Sequence, residues 1–184
     1  RGTLLTGWHA MSQLNHAIVA VHLGTGTVFV DASVPSCPFG VLPPASAVEE
    51  GLMIGRAGCE IVEVTAQPVE SARQVVTSAE LDGRGDLVAT STWTLTGYPA
   101  FEARREIAGT DARSLVERIV GARFPGSEIV STGVTGELDD DAPLVVETTF
   151  RAPGWATKQG YDLSCGAPFV FACGDNPLGA EERT

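Results

Sequence analysis

Alternation of apolar and polar positions is strongest between residues 74 and 97. Leu87, Ala89, Ser91, Trp93 and Leu95 interleave with Val88, Thr90, Thr92, Thr94 and Thr96. A period of two defines a strand, here with one apolar face and one Thr-rich, solvated face. Residues 74–81 form its expected partner, and Asp82-Gly83-Arg84-Gly85 between them has the composition of a hairpin turn. Residues 60–65, 129–134 and 143–152 read as further strands, the last two separated by the acidic turn 137–141. Three consecutive Asp residues without an Asp-x-Asp-x-Asp-Gly loop describe a solvated turn rather than a calcium site. Helical periodicity is clear once: Leu115 and Ile119, and Val116 and Val120, lie one turn apart. Thr110 or Asp111 caps that segment and Pro125 stops it, so one helix is expected, covering a sheet. The stretch from Gly97 to Arg105 reads as the end of the preceding hairpin.

The first third has a different pattern. Two apolar runs, each headed or closed by one polar group, flank Gly24-Thr25-Gly26. With the loop at Leu23 to Gly26, His22 opposes Thr27, Ile18 opposes Asp31 and His16 opposes Ser33. His16 and Asp31 are then diagonal neighbours on one face. A one-residue slip would put them on opposite faces. An imidazole beside a carboxylate is the base and its orienting group in a nucleophile–His–Asp triad. The same two residues also occur as a half-exposed strand start and a turn cap. Asn15 and Trp8 are candidates to line such a site, with core packing the other role for Trp8. Residues 34–44 form a proline-punctuated loop, 45–50 one helical turn capped by Ser46, and 51–55 a short buried strand. A domain boundary near residue 57 divides 1–56 from 57–184.

Asn15-His16-Ala17-Ile18-Val19, the Gly turn, Phe29-Val30-Asp31-Ala32-Ser33 and Pro38-Phe39-Gly40-Val41-Leu42-Pro43 resemble the closing part of a transglutaminase-like, papain-fold domain. The variety is that of large bacterial proteins in which this domain sits between β-rich domains. Leu14 stands where the family usually has Phe, and Ser33 where it usually has Thr. The resemblance implies that His16 and Asp31 complete a Cys-His-Asp triad acting on a protein or peptide substrate. The family's nucleophilic Cys opens a helix some tens of residues before the His, whereas only fifteen residues precede His16, none of them Cys. The chain is therefore expected to be an inert fragment of a cysteine acyl-transferase or peptidase. Its nucleophile would lie in the missing N-terminal part of the same protein or on a separate chain. The alternative is a non-catalytic binding or scaffolding module that retains the His and Asp. Export of large proteins of this kind favours an extracytoplasmic location.

The four cysteines change this picture little. Pro38 after Cys37 disfavours the helix N-terminus that activates a thiol, which argues against Cys37 as the nucleophile. Cys165 and Cys173 flank an apolar stretch, and both a local disulfide and buried thiols stay open. No Cys-x-x-Cys occurs, so no zinc site is expected, and no motif calls for a cofactor. The net charge of −11 over 184 residues argues against nucleic acid and anionic membrane as partners. No run has the length of a membrane span, so no membrane insertion is expected. The expected fold is α+β and mainly β: a papain-like remnant followed by an antiparallel β-sandwich-like domain with one helix.

Overall fold

The computed structural model describes residues 4, 13–34, 37–44, 46–56, 58–66, 69–168 and 170–171. The chain is mainly β, with every pairing antiparallel and two helices among the described residues. It divides into two compact units, Arg1–Ser71 and Ala72–Thr184.

In the second unit the alternating segments pair as expected. β5 (Ala72–Leu81) and β6 (Leu87–Thr96) join through the Asp82 turn, and β7 (Glu128–Thr135) and β8 (Leu144–Ala152) complete a four-stranded sheet of order β5-β6-β8-β7. Trp93 opposes Val75 on one side and Val146 on the other, so the apolar positions of β6 and β8 share one face. Among the described residues that face packs against helices, where the sequence predicts a β-sandwich-like arrangement. α2 (Ala112–Arg123) is the expected helix. Asp111 caps it by accepting from the Ser114 N–H at 2.8 Å, and Leu115, Val116 and Val120 are buried with Trp93, Val146 and Phe150.

A second helix, α1 (Tyr98–Gly109), occupies the segment read as the hairpin's end. Pro99 lies in its first turn, where the missing N–H costs no intrahelical bond. The helix escaped its periodicity because Arg104 sits on the buried face with Ala100, Phe101 and Ala103, interrupting the apolar stripe.

The Asp82 turn is held by its own carboxylate, which accepts from the Arg84 and Asp86 N–H groups at 2.8 and 3.0 Å. Gly85 has φ +95°, and its carbonyl accepts from the Ala156 N–H at 2.9 Å. A Cβ there would run into the Ala156 carbonyl oxygen. Gly85→Ala is therefore expected to cost about 2 kcal/mol, read as a lower urea midpoint. Past β8, the short strands β9 (Thr157–Gln159) and β10 (Asp162–Ser164) pair with each other, and Phe171 meets Trp93 edge to face at 4.9 Å.

Among the described residues the first unit is two hairpins around a small core. β1 (Val19–Leu23) pairs β2 (Gly26–Val30), and β3 (Glu50–Gly55) pairs β4 (Gly58–Glu63). Phe29, Leu42 and Val64 form the buried cluster, with Ile18, Ala47 and Val62 against it. The expected boundary near residue 57 falls in the turn between β3 and β4. Those strands pair along their whole length, and the units divide after Ser71 instead. β3 is also less buried than expected: Ile54 is 80% exposed, and among the described residues the two-stranded ribbon has no layer over that face. No helix among the described residues is long and apolar enough to cross a membrane.

Candidate functional site

The site is built on the register of the first hairpin. Leu23 pairs Gly26, His22 pairs Thr27 and Val19 pairs Val30. The next position in that register sets Ile18 opposite Asp31 and leaves His16 diagonal to it. The His16 Nε2 and Asp31 Oδ2 atoms are 2.8 Å apart.

Asp31 is the more constrained partner. It is 2% exposed, and both carboxylate oxygens are engaged. Oδ1 accepts from the Ser33 N–H at 3.1 Å and the Ser33 hydroxyl at 2.6 Å, a local turn closed as the chain leaves β2. Oδ2 accepts from the Ser46 hydroxyl at 2.5 Å as well as facing His16. Ser46 comes back to this point because Leu42 is sunk in the cluster with Phe29 and Val64, and because the Pro43 carbonyl accepts from the Ser46 and Ala47 N–H groups at 2.8 and 3.0 Å. Residues 46–49 thus lie in a turn that leads into β3 rather than in a capped helix, and the Ser46 hydroxyl serves the carboxylate.

Burial alone would raise the Asp31 pKa. The hydrogen bonds from the Ser33 and Ser46 hydroxyls, from His16 and from the Ser33 N–H outweigh it and hold the carboxyl well below the usual carboxylate range. Asp31 is therefore an anion at neutral pH, and an ionised carboxylate only accepts. The network assigns the ring proton to His16 Nε2, which donates to Asp31, and leaves the lone pair of the neutral ring on Nδ1. With 42% of the His16 side chain exposed, that ring has access to solvent. The arrangement can accept a proton at Nδ1 and stabilise the resulting imidazolium.

The hydroxyls of Ser33 and Ser46 both donate to Asp31, so neither is poised as a nucleophile toward His16. The half-buried Cys37 thiol donates to the Val41 carbonyl at 3.2 Å. Cys59 and Cys165 are exposed, and Cys173 lies outside the described residues. Asn15 is exposed beside His16, whereas Trp8 lies outside the described residues. Among the described residues no group of three His, Cys, Asp or Glu side chains converges to hold a metal ion.

Sequence reasoning brings His16 and Asp31 together but misses Ser46. No local signal marks it, since its contact with Asp31 spans fifteen residues. Comparison of the chain with family models, with curated proteins and with solved structures gave no match.

Proposed function

We propose that the unit Arg1–Ser71 carries the base half of a transglutaminase-like cysteine acyl-transfer site, with His16 as base and Asp31 as its orienting anion. The nucleophilic Cys comes from outside this chain, from the preceding part of the same protein or from a second chain. The observation that carries this reading is the 2.8 Å contact between a buried, multiply donated carboxylate and Nε2 of a half-exposed imidazole. The motifs around it, Asn15-His16-Ala17-Ile18-Val19 and Pro38-Phe39-Gly40-Val41-Leu42-Pro43, support the choice of family.

In the assembled site the thiol proton passes to His16 Nδ1 and the thiolate attacks an amide or ester carbonyl of a protein or peptide. Collapse of the tetrahedral adduct expels the amine or alcohol, which takes the proton back from the imidazolium and leaves a thioester. Water or an amine then releases the acyl group.

The test compares this chain alone with the chain joined to its native upstream sequence, using a thiol-directed activity probe. Labelling is expected only in the longer protein, and His16→Ala is expected to reduce its rate by about 1,000-fold. Labelling of the short chain at Cys37 would replace the missing nucleophile with a resident one. A longer protein that resists the probe would leave the hairpin as part of a non-catalytic binding or scaffolding module.

A further inference from the structure

The first unit contains a polar group that the acyl-transfer reading does not use. Ser46 is buried, and its hydroxyl donates to the oxygen of Asp31 that His16 also meets. The two oxygens of this carboxylate are held differently. Oδ1 has two donors from Ser33, both within the turn that follows β2. Oδ2 has, besides His16, a donor from a separate loop, Ser46, whose position is set by the Pro43 turn and the buried Leu42. The Ser33 bonds therefore hold one oxygen of the carboxylate from within its own turn and leave the oxygen that meets His16 to other donors. Ser46 supplies the second, independent anchor.

From this geometry we propose that Ser46 is a positioning residue, whose hydroxyl clamps Asp31 in the rotamer that keeps Oδ2 on His16 Nε2. This rests on the base–orienter reading of His16 and Asp31 and adds to it a third member from a separate loop. The clamp has a chemical consequence. An Nε2–H held on a fixed acceptor leaves Nδ1 permanently as the acceptor, so the base is ready without a tautomer search. An imidazole at a site 42% open to solvent exchanges its ring proton with water unless the acceptor stays in place. The loop bearing Ser46 thus sets how much of the time His16 is competent.

The measurement uses the chain as it exists. The His16 Nε2–H resonance is followed by proton and ¹⁵N NMR, assigned by its loss in His16→Ala, and its exchange rate with water is recorded. His22, whose Nδ1 is 3.0 Å from the Thr27 hydroxyl in the same hairpin, is the internal reference. Ser46→Ala is expected to speed His16 Nε2–H exchange by roughly tenfold, the equilibrium value of one hydrogen bond, and to leave His22 unchanged. Ser46→Thr, which keeps a hydroxyl, restores slow exchange. Ser46→Cys, with its weaker donor, falls between them. A Ser46 that only filled space would give the same exchange in the threonine, cysteine and wild-type chains. That flat order overturns the proposal even if the alanine variant does not fold, as does an alanine variant that folds and exchanges like wild type. The readout requires no nucleophile. Failure of the longer protein to react with a thiol probe, alongside the expected exchange order, would remove the acyl-transfer reading and leave the clamp intact.

Discussion

Asp31→Asn is expected to move the His16 ring proton from Nε2 to Nδ1. The Ser33 N–H can only donate, so the amide must keep its oxygen at the Oδ1 position and present its NH₂ where Oδ2 now sits. The Ser46 hydroxyl can rotate to accept from that NH₂. His16 Nε2 can accept only by giving up its proton, and the neutral ring then carries it on Nδ1. The nitrogen that faces away from position 31 would lose its lone pair, and the base would fail although the hairpin persists. Ring ¹⁵N shifts report the exchange of roles directly. In the longer, probe-reactive protein the same variant is expected to lower the labelling rate by about 10,000-fold, the scale of a wrong-tautomer base.

The same substitution alters the response to acid. The Asp31 carboxyl is held below its ordinary value of 3.8 by its hydrogen bonds, so the folded state binds that proton less readily than the unfolded chain does. Its contribution is fully present above the ordinary value and is lost as pH falls through it toward the folded value. The wild-type urea midpoint should therefore drop between about pH 5 and pH 2 more steeply than that of Asp31→Asn, which has no proton to gain there. Parallel pH profiles for the two chains would mean that Asp31 is not held ionised by the network.

Arg104→Met is expected to destabilise the Ala72–Thr184 unit by about 3 kcal/mol. Arg104 is 4% exposed, and among the described residues its guanidinium donates to main-chain carbonyls rather than to a carboxylate. Its Nε donates to the Gly136 carbonyl at 2.9 Å, and one terminal nitrogen donates to the Asp139 and Ala142 carbonyls at 2.7 and 2.5 Å. Those carbonyls belong to the acidic turn between β7 and β8, so α1 holds the turn through one guanidinium. Methionine retains the packing of the aliphatic stem and removes every donor, leaving the carbonyls to find water or remain unpaired. Arg104→Lys should recover less than half of the loss, because a point cation cannot reproduce the planar fork. Urea denaturation measures the stability. Limited proteolysis at 137–141 checks the location, since the turn is expected to become the first site of cleavage. A methionine variant as stable as wild type would mean that the guanidinium does no more than fill volume.

What the sequence determined is what near neighbours can decide. Asp82 and the glycines beside it specify the β5–β6 hairpin, and the alternation in β6 selects the face that packs. Asp111 starts α2, and the apolar pairs of that helix choose its buried side. Gly24 to Gly26 sets the register of β1 and β2, and with it the diagonal approach of His16 to Asp31. Each of these rests on spacing within one element or across one tight turn, where period and turn chemistry leave few alternatives. Tertiary structure decided the rest. It placed helices where a second sheet was expected, and it allowed α1 an arginine on its buried face because carbonyls some thirty residues later accept its protons. It paired β3 with β4 across the expected boundary. It also brought Ser46, which reads locally as a helix cap, onto the carboxylate of Asp31. A polar residue's partner is chosen by whichever unsatisfied group the completed packing leaves beside it, and that group is not encoded in the few residues on either side.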